Sequence, residues 1–125
     1  MKALVEKLKA LESEVAKEKG AFSLFALFLR EDAPDVWDLL VSAPWVESDK
    51  GAALKLLAMK LSQMASSEEL TKLSRIVVIE KSNPALAAFH SAMRIEHGTA
   101  EIKNSSFFGL QIKHAYVITS QRADA

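Results

Sequence analysis

The chain has 125 residues, half of them apolar and 26% charged, which is enough for one buried core and close to the composition of an ordinary globular protein. Sixteen basic residues balance sixteen acidic ones, so no overall field steers the chain to a polyanion, and nucleic acid is not expected as a partner. The absence of cysteine excludes disulfides, thiolate metal sites and cysteine nucleophiles, and no apolar run approaches the ~18 residues that span a bilayer.

The opening stretch, MKALVEKLKALESEVAKEKG, alternates charge where a signal peptide carries an uninterrupted apolar run, so a cytoplasmic protein is expected. Its Leu4, Val5, Leu8, Leu11 and Val15 recur at helical spacing, with Lys and Glu between them and Gly20 as a stop. Next, AFSLFALFLRED is apolar on both alternating faces, with Phe22, Leu24, Ala26 and Phe28 on one and Phe25, Leu27 and Leu29 on the other. Such a strand belongs in the middle of a sheet covered on both sides. EDAPD is a turn, and VWDLLVSAPW reads as a second strand that closes an antiparallel hairpin around Pro34 and ends at Trp45.

Asp49 can cap a helix carrying Ala53, Leu54, Leu57, Leu61 and Met64, and Ser66 with Glu69 has the spacing of a capping box. RIVVIE, residues 75–80, is a short β-branched strand; Asn83 and Pro84 then open a helix predicted to run to about His97, with Gly98 just past its end. TAEIKN and LQIKHAYVIT make a terminal hairpin joined by SSFFG, and the residues from about 121 read as a frayed tail. The order is helix, hairpin, helices, strand, helix, hairpin. It predicts an α+β fold: one domain over 1–125 with a mixed five-stranded sheet packed against helices.

Strand parity places Leu110, Ile112, His114, Tyr116 and Ile118 on one face of the last strand and Gln111, Lys113, Ala115, Val117 and Thr119 on the other. On the helix from Pro84, Leu86, Phe89, His90, Met93 and His97 fall in one sector roughly 100° wide. All three histidines are thus expected between helix and sheet. The functional reading of that coincidence is a histidine-lined pocket, with His114 as general acid/base, Tyr116 or Lys113 assisting, and His90 or His97 approaching from the helix. The bland reading, which is preferred, makes them packed histidines bonded to backbone carbonyls. A metal is not expected: His90 and His97 are ~10.5 Å apart along a helix axis, and no i, i+4 histidine pair occurs.

Other signatures are weaker. Pro34-Asp35 and Glu101-Ile102-Lys103 are superficially similar to the PD and (D/E)-x-K elements of a nuclease family. In that family the elements lie on neighbouring strands a short distance apart, whereas here two helical segments and a strand intervene. There is no G-x-S-x-G elbow and no glycine-rich phosphate loop, and no cofactor is implied. Ser105 and Ser106 read as turn residues. Phe107 and Phe108, adjacent in the expected hairpin loop, are not expected both to be solvated, so at least one should pack on the core, a pocket or another chain; core packing is the preferred reading, and with Trp45 they are the candidate partner surface. The expected function is a small soluble, non-enzymatic binding or assembly module, acting as a homodimer. The alternative is a small-ligand-binding domain or enzyme using the histidine pocket.

Overall fold

In the computed structural model, which describes residues 2–122, the chain opens with helix α1 (Lys2–Lys19). The predicted stripe of Leu4, Val5, Leu8, Leu11 and Val15 is buried, each large side chain contributing about 1.5–3 kcal/mol by leaving water. Glu12 is buried with them. Gly20, at φ +128°, lets the chain leave the helix under Trp45: a Cβ there would meet Cδ1 of Trp45 at 3.4 Å.

Strands β1 (Leu24–Arg30) and β2 (Trp37–Ser42) pair antiparallel, as the turn at Pro34 implies. The chain then departs from the expected long strand. Pro44 occupies the first turn of a short helix, α2 (Pro44–Ser48), where its missing N–H costs nothing, so Trp45 is helical. Helix α3 (Lys50–Met64) follows, with the Asp49 side chain accepting from Ala52 N. Helix α4 (Ser67–Thr71) is opened by the predicted capping box, in which Ser66 Oγ accepts from Glu69 N and Glu69 Oε1 from Ser66 N. This helical crossover returns the chain to β3 (Leu73–Val78), parallel to β2.

Helix α5 (Pro84–Ala92) is capped by Asn83 and ends five residues before His97. It stops because Ile95 is drawn into an antiparallel bridge with Ser120. Strands β4 (Ala100–Phe107) and β5 (Leu110–Ser120) complete a five-stranded mixed sheet in the order β3-β2-β1-β5-β4. The hairpin loop is shorter than SSFFG: Phe107 pairs with Leu110, leaving Phe108 (φ 54°) and Gly109 (φ 73°) as the turn, the positive angles that a two-residue I′ turn needs. Ser105 and Ser106 therefore lie in β4. Gln121, expected in a frayed tail, is held by Ser23 O, Phe22 O and Glu96, while residues 123–125 of that tail lie outside the described residues.

β1 is central and covered on both sides. One layer joins Phe25, Leu27, Leu29, Trp37, Leu39, Val41 and Ile118 to α1 and α3; the other joins Leu24, Ala26, Phe28, Leu40, Ile112, Ala115 and Val117 to Leu86 and Phe89 of α5. Phe22 belongs to the first layer, not with Leu24 as parity implied. Between strands, Asp38 is nearly buried and accepts from Arg30 Nε at 3.0 Å and Arg75 Nη2 at 3.3 Å. Among the described residues no helix is long and apolar enough to cross a membrane.

The faces of β5 do not follow simple alternation. Leu29 pairs with His114 but Arg30 with Ile112, and Phe25 pairs with Thr119 but Ala26 with Val117, so Lys113 and Ile118 are extra residues in β-bulges. The bulge at Lys113 turns the strand over. Ile112 and Leu110 join the α5 layer, whereas Tyr116 and Ile118 join the α1 layer, so the expected common face of Leu110 through Ile118 is replaced by two half-faces.

Candidate functional site

The structure separates the three histidines. His90, on the buried face of α5, is 6% exposed and its Nε2 lies 2.9 Å from the Ser23 carbonyl oxygen, tying α5 to the start of β1. His97 lies beyond α5, with φ 50°, and Nδ1 stands 2.5 Å from Glu12 Oε1 on α1. His114 lies on the α1 side of the sheet, against Trp37 and Tyr116. Among the described residues no pocket between α5 and β5 collects them.

His114 sits on a half-open aromatic shelf. The bulge at Lys113 directs it across Leu29 to Trp37, with ring centroids 5.4 Å apart, and Tyr116 lies 4.7 Å away. On the edge strand beside them, Glu101 accepts from His114 Nε2 at 2.5 Å. That hydrogen bond holds the Glu101 carboxyl below its ordinary value, with the positive charges of Lys103 and His114 acting the same way. Burial, followed by the negative charge and hydrogen bond of Glu101, pushes the Tyr116 hydroxyl up. The shelf is an acid–base pair with an aromatic back wall, and Lys113, in the bulge, is exposed.

His97 belongs to a closed clamp that alternation of charge in α1 concealed. Glu12 has no exposed side chain; its Oε1 meets His97 Nδ1 and its Oε2 accepts from Thr119 Oγ1 at 3.0 Å. Thr119 Oγ1 in turn accepts from His97 N at 3.1 Å. A carboxylate taken from water is tolerated only with partners of this kind. The clamp joins α1, the segment after α5 and the end of β5, and leaves His97 Nε2 facing Glu96 Oε2 at 3.7 Å. Position 12 follows Leu8 by four and precedes Val15 by three, so helical spacing alone places it on the buried stripe.

The aromatic candidates turn inward. Phe107 and Phe108 pack on Phe28 and Phe89, with Phe89–Phe107 centroids 4.9 Å apart in an edge-to-face arrangement. They close the α5 layer at the hairpin tip and remain partly exposed. Trp45 stands edge-on to Phe22 at 5.6 Å with its Nε1 buried and without a hydrogen-bond partner.

The two sheet edges differ. β4 carries exposed Glu101 and Lys103 and a left-handed residue, Asn104 at φ 51°, features that blunt an edge. The β3 edge presents Ile76, Val77 and Val78 in succession, all half-buried, beside an apolar groove of about 190 Å³ lined by Leu39, Leu61, Leu70 and Leu73. No protein-family model, curated protein or solved structure matches this chain, so these sites are interpreted from their own geometry.

Proposed function

We propose that the protein is a small soluble, non-enzymatic assembly module that works as a homodimer joined through the outer edges of two β3 strands. The observation that carries this reading is the uncharged outer stretch of the β3 edge, residues 76–78, beyond the exposed Arg75 and the register shift beside it. Ile79 N donates to Val41 O, and Leu39 and Val41 stand opposite Ile76 and Val78, so Ile76 and Val78 turn their backbone groups outward; below Arg75 the register shift reverses the alternation, and Lys72 O accepts from Trp37 N. Side chains from 76 to 78 carry no charge that would repel a second strand.

A second copy fits because an antiparallel pairing about a two-fold axis is self-complementary. Centred on Ile76, it sets Ile76 against its own counterpart and brings the exposed Lys72 of one copy toward the exposed Glu80 of the other. The flanking groove adds apolar area beside the joined edge. The assembly surface thus moves from the hairpin tip, whose phenylalanines are engaged with α5, to the opposite edge of the sheet. A cytoplasmic setting accompanies this proposal and rests on composition.

Native mass spectrometry with light scattering across micromolar concentrations tests it. A dimer that dissociates in Ile76→Lys, with the helix signal unchanged, supports the reading. A monomer at every concentration, or a dimer indifferent to Ile76→Lys and Val78→Lys, overturns it.

A further inference from the structure

A second site lies at the other end of the molecule. The last turn of α1, the first turn of α2, the segment after α5 and the exit from β5 enclose a cleft of about 460 Å³. Its aromatic wall is Trp45, braced edge-on by the buried Phe22. Lys19 and Arg122 line it as well, and neither takes part in the ion pairs among the described residues.

Among the described residues, the one acid lining the cleft is already engaged. Glu96 Oε2 accepts from Gln121 Nε2 at 2.9 Å and faces His97 Nε2 at 3.7 Å. Among the described residues the cleft therefore presents two cations outside any ion pair against one occupied carboxylate. Lys17 and Lys19 in the last turn of α1 also offset the negative end of that helix, which otherwise disfavours an anion there. The wall carrying Glu96 is pinned one residue further on by the Glu12–His97–Thr119 clamp, so it need not be ordered on binding.

We propose that this cleft binds a small aromatic anion, its ring against Trp45 and its carboxylate, sulfonate or phosphate between Lys19 and Arg122. The cations select the charge, the indole selects a flat apolar body, and the volume limits the ligand to one or two fused rings. The site is independent of the β3 edge.

The test is a titration of the ¹⁵N-labelled protein with 1-naphthalenesulfonate, whose charge is fixed, and with neutral 1-naphthalenemethanol. Saturable displacement of the Trp45 indole and Gln121 side-chain amide signals by the sulfonate is expected. The Trp37 indole, at the opposite end of β2 and outside the cleft lining, should stay still and report an intact fold. The Lys19→Ala/Arg122→Ala double variant should bind about tenfold more weakly or worse. Absence of saturable displacement, equal binding of the neutral alcohol, or unchanged affinity in the double variant overturns the proposal.

Discussion

Asn104 and Lys113 stand opposite each other in the terminal hairpin, between the pairs Lys103–His114 and Ser105–Ile112, and each departs from regular strand geometry. Asn104 takes a left-handed φ and Lys113 is the bulge against β1, so the two strands turn over together without losing register. The inner half of the hairpin presents Glu101, His114 and Tyr116 to one side of the sheet. The outer half presents Phe107, Leu110 and Ile112 to the other.

Asn104 is thus a conformational requirement. Asn104→Gly should leave stability nearly unchanged, since glycine reaches the left-handed region freely, whereas Asn104→Val should cost about 1–3 kcal/mol. Urea unfolding of the pair measures this, and a harmless valine would mean that the turnover is carried elsewhere.

The Glu12 clamp should be among the most sensitive polar positions. Glu12→Ala strands the His97 ring N–H and the Thr119 hydroxyl and leaves a cavity, an expected loss of about 2–4 kcal/mol. Glu12→Gln keeps an acceptor and should cost less. Equal losses in the two variants would show that shape, not hydrogen bonding, is what the position supplies.

Tyr116 is the only tyrosine, so tyrosinate absorbance reports it alone. Its hydroxyl should ionise above the ordinary 10.0, and Glu101→Gln should lower the midpoint part of the way by removing a negative charge. Because the folded value is the raised one, this residue's stabilising contribution is complete below pH 10.0 and is lost as the pH rises through the folded value. A midpoint at or below 10.0 would mean that the ring is more solvated than its contacts imply.

Glu101 has the opposite sign. Its carboxyl is held down by His114, so the pair's stabilisation is present above 4.5 and is lost as the pH falls through the lower folded value. Carboxyl ¹³C titration of Glu101 should move upward in His114→Gln. An unchanged midpoint would show that the contact does not persist in solution.

Phe107 and Phe108 should behave as core residues. Phe107→Ser with Phe108→Ser should lower stability by several kcal/mol, on the order of the losses seen when buried aromatics are truncated, before it alters association. Retained stability with lost self-association would restore the hairpin tip as the partner surface.

Much of the architecture was legible because local chemistry dictated it. The stripe of α1, the caps at Asp49, Ser66 and Asn83, the two-faced β1 and the mixed sheet all follow from spacing and from which residues satisfy free backbone groups. What was not legible depends on partners remote in the chain. The bulges at Lys113 and Ile118 exist only against β1, and α5 ends early because Ile95 meets Ser120. The histidine sector failed for both reasons at once. Trp45 and Glu12, by contrast, carried local signals: a proline at the first turn of a helix, and a place within an apolar stripe.

The strand order also governs when the fold can be completed during synthesis. β1 lies between β2, its immediate successor, and β5, where Leu24 is matched with Ser120. Until residues near 120 have been made, the nascent chain must hold its most apolar strand with one edge vacant, and Glu12 must wait for Thr119. Closure of so distant a pair is slow, so the emerging chain should depend on chaperone shielding more than its modest length implies.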